Sequence, residues 1–296
     1  MEEKKIFANL IAGQIGLLSA KEAQLLRRST VALPGLGGVG GMHFLALVRS
    51  GIGRFKVADP DFFELHNLGR QNLTLKDVGR PKLEVLQEQA TRINPYLEIS
   101  SFPQGVTPDN VTTFLKGVDV VVDGIEFFAL ETRRLVFNEA RKRGIPVITA
   151  APLGFNASLL VFHPQKSPSF EQYFGLAQGH SRFEKLLLFT LGLAPRAWFL
   201  KYLDLDAVDL QAGRGPASIL TCHLCTALAC TEALRILLKR PGLKPVPHYL
   251  QIDIYLRKFH KGYLRKGNYA LKQRLKFWLL KRKLRPYFPS EDSGPR

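Results

Sequence analysis

Short apolar runs alternate with longer amphipathic segments over the first 162 residues of the chain. The apolar runs predict strands at 31–33, 55–58, 97–102, 118–122, 146–150 and 159–162. The segments between them predict helices at 42–48, 82–93, 108–115 and 130–142, with Thr107 as the cap of the third. Alternation of this kind is typical of an α/β fold. We therefore predict a doubly wound, mostly parallel sheet with helices on both faces.

The pattern changes on either side of this core. Residues 1–30 predict a helical lead-in with a helix near 19–26, which Ser19 caps with Glu22 three positions later. Residues 163–215 have little strand pattern and one expected helix near 182–191. The long apolar helix expected at 216–238 and a last strand at 249–255 complete the core within 216–256, and a basic tail fills 257–296. The central unit is thus 31–162.

A glycine-rich loop stands between the first strand and the first core helix. Its G-x-G-G-x-G pattern consists of Gly35, Gly37, Gly38 and Gly40. Strand, glycine loop and helix in this order predict a nucleotide-phosphate site, because backbone amides can approach the phosphates closely there. Asp59 follows the second strand, where an acidic residue binds the ribose hydroxyls in Rossmann-like folds. Asp59 could also simply cap a turn with Pro60.

A dense polar cluster follows the glycine loop. Its motifs are Asp59-x-Asp61, Glu64-x-x-Asn67-Leu68-x-Arg70-Gln71 and Val78-Gly79-x-Pro81-Lys82. With the glycine loop, with Ile93-Asn94-Pro95 and with the segment 120–123, this combination resembles the ThiF/MoeB/HesA adenylyltransferases of the ubiquitin-activating-enzyme superfamily. The resemblance covers residues 13–162, with a weaker similarity at 216–238. It makes 163–215 the crossover region that recognises the acceptor.

The resemblance implies ATP binding and adenylation of a carboxylate, usually at the C-terminus of a small ubiquitin-like or sulfur-carrier protein. The positions that it assigns to the nucleotide are Gly35, Gly37, Gly38, Gly40, Asp59, Asp61, Gln71 and Asp123. The positions that it assigns to catalysis are Arg70, Lys82 and Asn67. Cations suit this role, since attack of a carboxylate on a phosphate brings two anions together. Both cations could also be ordinary surface charges.

Two further positions bear on the chemistry. The family places a magnesium-binding carboxylate after the fourth strand, and here Glu126 matches that position while Phe127 replaces the following asparagine. A hard oxygen ligand remains, so we expect ATP with Mg²⁺, and Asp123 could instead be an inner hydrogen-bond acceptor. Dimeric relatives extend an N-terminal arginine into the partner's ATP site, and Gly13 stands at that place. The replacements at Gly13 and Phe127 favour a non-catalytic nucleotide-binding scaffold as one alternative.

The three cysteines lie close together at Cys222, Cys225 and Cys230. Relatives with a structural zinc carry two Cys-x-x-Cys pairs, whereas this chain has one pair inside an apolar helical run. Zinc is therefore not expected, and packing in the core is the favoured role. The crossover region 163–215 contains no cysteine, which excludes a thioester in that region.

Positive charge is concentrated at the C-terminal end. The chain has 42 Lys and Arg against 25 Asp and Glu, a net charge of +17, and residues 254–290 contain no acidic residue. Apolar positions such as Leu275 and Trp278 lie among these basic residues. Three interpretations stay open: a solvated charged face, contact with an anionic membrane surface, or binding of RNA or an acidic partner.

We expect a cytoplasmic homodimer, with peripheral membrane association as an addition, because the charged N-terminus is not followed by an apolar signal core. The favoured function is ATP-dependent activation of a carboxylate on a small protein or peptide. A second possibility is an enzyme like the tRNA threonylcarbamoyladenosine dehydratases, which residues 107–111 weakly resemble and which the basic tail suits.

Overall fold

In the computed structural model, the structure describes residues 2–204, 206–207 and 215–284, and their strands form one sheet. Its strands are β1 Thr30–Pro34, β2 Arg54–Ala58, β3 Glu98–Phe102, β4 Val120–Asp123, β5 Val147–Leu153, β6 Asn156–Phe162, β7 His248–Asp253 and β8 Lys258–Tyr263. Their spatial order is β3-β2-β1-β4-β5-β6-β7-β8. The pairs from β3 to β5 are parallel, and the pairs from β5 to β8 are antiparallel. The Rossmann-like α/β fold expected from the sequence is confirmed.

Helices cover both faces of the sheet. They are α1 Glu2–Leu10, α2 Ala20–Arg28, α3 Gly38–Arg49, α4 Lys82–Ile93, α5 Val111–Leu115, α6 Leu130–Lys142, α7 Phe170–Phe174, α8 Arg182–Leu193, α9 Ile219–Leu237 and α10 Leu271–Leu284. One core cluster joins the sheet to α2, α3, α4 and α9 through side chains such as Phe44 and Ala229. The other joins it to α5, α6, α7 and α8 through Phe114, Phe137 and Phe189. Two layers of core thus hold the strands in place.

Several boundaries match the sequence pattern closely. The helices expected at 82–93 and 130–142 have those bounds as α4 and α6. Ser19 caps α2 as expected, since its hydroxyl accepts the Glu22 amide and the Glu22 carboxylate accepts the Ser19 amide. The expected helix at 42–48 begins earlier, at Gly38, so the end of the glycine loop is the first turn of α3.

The expected cap at Thr107 is wrong. α5 begins at Val111, with Asn110 as its cap residue. Asn110 Oδ1 accepts the Thr107 amide at 2.9 Å, and the Thr107 carbonyl accepts the Val111 amide at 3.0 Å. These bonds close a turn over 107–110, and the turn takes the place of the first helical turn expected at Pro108.

The basic C-terminal segment belongs to the folded domain over the part that the structure describes. The strand expected to be the last is followed by β8, which pairs with β7 at the edge of the sheet. β8 reads Lys-Phe-His-Lys-Gly-Tyr and alternates between half-buried and exposed positions, as a lysine-protected edge strand does. α10 then packs on α8, where Leu284 contacts Leu187 and Leu191.

α9 has the length and apolar composition of a membrane-spanning helix. Its buried positions include Cys225, Ala229 and Ala233, which pack in the core cluster with β5 and β6. A core helix of a globular protein passes the same test of length and composition. The packing of α9 against β5 and β6 supports the role of a core helix.

Candidate active site

A cavity of about 450 Å³ lies at the carboxyl ends of the parallel strands. This is the edge where ligands bind in open α/β sheets. Nine of the residues predicted for the site line it: Gly37, Gly38, Asp61, Asn67, Arg70, Gln71, Lys82, Asp123 and Glu126. Gly35, Gly40 and Asp59 are predicted site residues that do not form its wall. The tertiary structure therefore brings most of the predicted cluster together in one place.

The glycines of the loop have two different surroundings. A Cβ on Gly40 would lie 2.0 Å from the Gly35 carbonyl oxygen, and a Cβ on Gly35 would lie 2.3 Å from the Gly124 carbonyl oxygen. Gly35 also has a φ of +86°, which disfavours other residues. A Cβ on Gly37 would have no neighbour within 4 Å. Gly35 and Gly40 thus permit close backbone packing, while Gly37 faces open space beside the N-terminus of α3.

The N-terminus of α3 meets the cavity at Gly37, its cap residue, and at Gly38. The first amides of an α-helix have no intrahelical partner, and the helix dipole is positive at this end. A phosphate beside Gly37 and Gly38 would accept these amides.

Asp59 lies behind the glycine loop and is buried. Its two carboxylate oxygens accept the amides of Leu36 at 2.6 Å and Asp61 at 2.9 Å. Burial raises the pKa of Asp59, whereas Lys82 and the two amides act in the opposite direction. Asp59 therefore shapes the loop in this structure, and its contact with ribose stays a prediction.

Asn67, Arg70 and Gln71 are presented by the 3-10 turn Leu65–Gly69 and the residues after it. Asn67 Oδ1 accepts the Glu64 amide at 2.9 Å, so this buried side chain holds the turn together. Arg70 follows the turn, and its guanidinium is directed toward the carbonyl of His66 at 3.5 Å. Gln71 Oε1 is buried with no protein partner among the described residues. Buried acceptors are nearly always paired, so this oxygen is available to a ligand donor.

Lys82 is the first residue of α4 and has a nearly buried side chain. Its ammonium donates to Asp61 Oδ2 at 2.8 Å, and Asp61 itself is largely exposed. A lysine at this position would supply a point charge to a bound phosphate. The pairing with Asp61 holds that charge at the cavity wall.

Asp123 ends β4 and is an inner hydrogen-bond acceptor. One of its oxygens accepts the Ile125 amide at 3.0 Å, and the other accepts the guanidinium Nε of Arg133 at 2.9 Å. Arg133 also donates to the carbonyls of Ile125 and Glu126. The whole arrangement is buried and fixes the loop that carries Glu126. Glu126 is exposed at the cavity wall.

Two residues that line the cavity were not predicted for the site: Arg133, and Cys222, for which packing in the core was expected. Arginine is usually exposed, but Arg133 lies on the apolar face of α6, three or four residues from Leu130, Val136 and Phe137, and this position was the available signal. Cys222 Sγ lies beside the glycine loop, 3.6 Å from where a Cβ on Gly38 would stand. Burial raises the pKa of Cys222 to about 11, and Cys225 and Cys230 pack in the core as expected. Among the described residues, no cluster of His, Cys, Asp or Glu has the arrangement of a metal site.

Gly13 lies in the 3-10 turn Ala12–Gln14, with no neighbour within 4 Å of where its Cβ would stand. The neighbouring Ile15 and Leu17 are strongly exposed. Arg27 is the first arginine of the chain, and it forms an ion pair with Glu3. Its guanidinium also lies over the Phe7 ring. These contacts hold α1 against α2.

Comparison with known families gives a match over residues 11–269, which is most of the chain, to the family described as the ThiF family. The chain belongs to the ThiF family. This confirms the resemblance carried by the glycine loop and the polar cluster. The matched region includes every residue predicted for the site.

Individual relatives agree with this membership. The chain is 37% identical over 139 residues to a sulfur carrier protein adenylyltransferase of Thermus thermophilus, covering 47% of this chain and 51% of the relative. It is 33% identical over 129 residues to a tRNA threonylcarbamoyladenosine dehydratase of Bacillus subtilis, covering 43% and 50%. The chain thus matches about half the length of these curated relatives.

A solved structure of another protein has a fold similar to that of this chain. The crystal structure of Escherichia coli MccB with ATP has a TM-score of 0.60 and 20% identity, and the match covers 83% of this chain and 66% of MccB. Likeness at this identity concerns the fold alone. The ThiF-family chain therefore shares its sheet and helices with a protein that has been crystallised with ATP.

Proposed function

We propose that this ThiF-family chain is an ATP-dependent adenylyltransferase that activates the C-terminal carboxylate of a small protein or peptide. One observation carries the proposal: Gly37, Gly38, Arg70 and Lys82 line one cavity, with the N-terminus of α3 at its wall. Helix amides and two cations on one cavity wall suit a triphosphate. The relative named as a sulfur carrier protein adenylyltransferase supports this class of reaction and acceptor.

The reaction follows from the charges in the cavity. The acceptor carboxylate attacks the α-phosphorus of ATP, a new oxygen–phosphorus bond forms, and the bond to the leaving pyrophosphate breaks. Arg70 can bridge phosphate oxygens as a fork, and Lys82 adds a point charge. Both offset the repulsion between the two anions and hold the groups in line. The products are an acyl-adenylate and pyrophosphate.

Magnesium belongs to the proposal through Glu126. Its carboxylate is exposed at the cavity wall, whereas Asp123 is occupied by Arg133 and the Ile125 amide. Magnesium usually binds to one or two carboxylates together with substrate phosphates, so Glu126 with the triphosphate would suffice. The ion would neutralise charge on the pyrophosphate that leaves.

ATP–pyrophosphate exchange tests the proposed function. We expect exchange that depends on an acceptor, and we expect Arg70→Ala and Lys82→Ala each to reduce it about 10²–10³-fold, because each removes a cation beside the transferred phosphate. Arg92→Ala is the matched control, since Arg92 is an exposed cation on α4 away from the cavity. ATP binding without exchange, across all acceptors tried, would leave a nucleotide-binding scaffold as the function.

A second candidate is favoured by the tRNA threonylcarbamoyladenosine dehydratase relative and by the charge of +17. In this case the activated carboxylate is carried on tRNA. The same exchange assay with tRNA as the acceptor separates the two functions. If tRNA supports exchange and none of the proteins or peptides tried does, the result supports the dehydratase-like enzyme.

We also propose that the chain works as a homodimer in the cytoplasm. Ile15, Leu17, Leu65 and Leu75 are large apolar side chains with most of their surface exposed, and a partner subunit would cover such groups. Sedimentation equilibrium measures the assembly directly. A monomer at micromolar concentration, with ATP present, would contradict the dimer.

A further inference from the structure

The cavity continues beyond the predicted nucleotide residues into an apolar chamber. We define the apolar chamber by Phe183, Leu186, Leu187, Phe199, Leu280 and Leu284, which come from α8, from the 3-10 turn Trp198–Lys201 and from α10. Thr190 is the one polar residue among the described residues of these three elements that line the cavity. Its hydroxyl donates to the Leu186 carbonyl at 2.8 Å, so it offers little to a ligand.

The strand order places the chamber on one side of the nucleotide residues. Asp61 follows β2, the glycine loop follows β1, and Glu126 follows β4. A nucleotide held by these residues would lie across β2, β1 and β4. The next strand is β5, whose residues from Thr149 to Leu153 line the cavity together with α8. The chamber is therefore on the side from which an acceptor would approach the phosphates.

β5 also offers backbone carbonyls toward this space, while Pro152 has no N–H to donate. Its pairing with β4 ends at Thr149, whereas β5 continues to Leu153 in register with β6. Among the described strands, none pairs with residues 150–153 on the β4 side. An extended peptide can add to such an edge by main-chain hydrogen bonds, with its side chains directed into pockets.

We propose that the acceptor is a peptide or protein C-terminus that ends in a large apolar residue, whose side chain enters the apolar chamber. The inference rests on the proposed adenylation and specifies its acceptor. A terminal glycine would leave the chamber unfilled, and a charged terminal side chain would lose its hydration there without a partner. The Ala150 and Pro152 carbonyls on the free edge of β5 can accept amides of the peptide backbone, which an apolar chamber by itself could not do.

Randomised hexapeptide pools that differ only in the last residue test this inference in the ATP–pyrophosphate exchange assay. We expect pools ending in Leu or Phe to exceed the Gly pool about 10–100-fold in kcat/KM, since a buried large side chain contributes that much. The Asp pool should be the poorest. A Gly pool equal to or better than the Leu pool would overturn the inference and leave the proposed function standing.

Two other outcomes are distinct from this one. If decanoate supports exchange and none of the peptide pools does, the acceptor is an aliphatic acid and the inference is overturned. If no carboxylate of any kind supports exchange, the proposed function and the inference are both contradicted.

A substitution inside the chamber provides a check on its role. Thr190→Phe adds volume to the wall, and we expect it to shift the preference from Leu and Phe toward Ala and Gly. Thr190→Val keeps the size of the side chain and should leave the preference unchanged. A merely unstable protein would lose exchange with all pools equally. Retained exchange with an unchanged order of preference in Thr190→Phe would therefore count against the chamber as the specificity site.

The outward face of α10 supports a second inference on independent grounds. The inner face packs on α8 through Leu280 and Leu284. The outer face carries Leu271, Leu275, Trp278 and Leu279, which are between 50 and 80% exposed. Their spacing places them along one stripe of the helix. α10 is therefore apolar on two opposite sides, and one of these sides is exposed to solvent.

Basic side chains border the exposed stripe. Lys272 and Lys283 lie on one side of it, Arg274 lies on the other, and all three are exposed. No Asp or Glu occurs between residues 254 and 290. A solvated charged face would turn polar groups outward, and an RNA-binding face would not need a leucine stripe. Apolar side chains bordered by lysine and arginine are the arrangement of helices that lie on anionic membranes.

We propose that the outer face of α10 docks on an anionic lipid bilayer. Leu271, Leu275, Trp278 and Leu279 would enter the interface, and the bordering cations would contact the headgroups. Flotation with vesicles of phosphatidylcholine, with and without phosphatidylglycerol, measures this binding. We expect binding to the anionic vesicles that weakens as salt is raised.

The double variant Leu275→Glu with Trp278→Glu should reduce the partition coefficient at least about 10-fold, since two apolar side chains no longer enter the bilayer. Leu25→Glu with Tyr96→Glu is the matched control, because it places the same charges on one exposed aliphatic and one exposed aromatic residue away from α10. Absence of flotation would overturn the inference. Retention of tRNA in gel shifts together with absence of flotation would make the segment an RNA-binding surface.

Discussion

At the scale of single residues, His43 on α3 is a buried polar group outside the proposed chemistry. Its Nδ1 lies 3.0 Å from Thr226 Oγ1, and its Nε2 has no partner among the described residues. Burial lowers the pKa of His43 from 6.5 to about 3. The imidazole is therefore neutral in the folded protein at pH values where the unfolded chain would be protonated.

This shift predicts a dependence of stability on pH. The unfolded state binds more protons than the folded state below pH 6.5, so the contribution is complete above that pH and is lost as the pH falls toward about 3. Each pH unit in this window costs about 1.4 kcal/mol. Between about pH 6.5 and 5, we expect the wild type to lose about 2 kcal/mol more in free energy of unfolding than His43→Gln, as denaturant titration measures.

The exposed His223 on α9 supplies the control for that measurement. His223→Gln should keep the pH dependence of the wild type. An equal slope in His43→Gln and the wild type would show that folding does not lower the pKa of His43.

At the scale of elements, the glycine loop combines two physical requirements in one motif. Gly35 and Gly40 allow the backbones of the loop, of α3 and of residue 124 to approach closely. Gly37 instead borders the space where phosphates would lie. Both kinds of glycine belong to the same sequence motif, and only their neighbours in the folded structure distinguish them.

A matched pair of substitutions tests this division. Gly40→Ala should lower the free energy of unfolding by more than about 2 kcal/mol, because its Cβ has no room beside the Gly35 carbonyl. Gly37→Ala should leave stability within about 0.5 kcal/mol and raise the KM for ATP, since its Cβ would stand in the phosphate space. Thermal unfolding and exchange kinetics measure the two effects. Equal loss of stability in both variants would contradict the assignment.

Elements with a clean periodicity were predicted well, and elements that depend on their neighbours were not. α4 and α6 have one apolar face each, so the pattern fixes their bounds. β8 has no alternation of apolar and polar residues in its sequence, and only its pairing with β7 makes it a strand. α10 has apolar residues on opposite faces, which hides the periodicity of a surface helix.

At the scale of the whole molecule, the basic C-terminal segment is structural as well as charged. β8 extends the sheet, and α10 covers Leu187 and Leu191 of α8 while it contributes Leu280 and Leu284 to the apolar chamber. Removal of residues 257–296 should therefore lower the free energy of unfolding by about 3 kcal/mol or more, through exposure of these leucines.

Differential scanning calorimetry checks this expectation. Lys272→Ala with Arg282→Ala removes two exposed charges of α10 without uncovering the core, and its unfolding temperature should stay near that of the wild type. An unchanged unfolding temperature in the truncated chain would contradict a structural role for β8 and α10.

The sequence by itself determined the α/β class, the strand-loop-helix unit around the glycines, and the membership of the ThiF family. These depend on local periodicity and on motifs of fixed spacing, which are readable along the chain. The tertiary structure decided which residues share a wall: Arg133 beside Asp123, Gln71 with an unpaired oxygen, and an apolar chamber next to the cations. Arg133 and Asp123 are only ten residues apart, but the chamber residues are more than a hundred residues from Arg70 and Lys82, so their contacts follow from the strand order and the packing of α8 and α10.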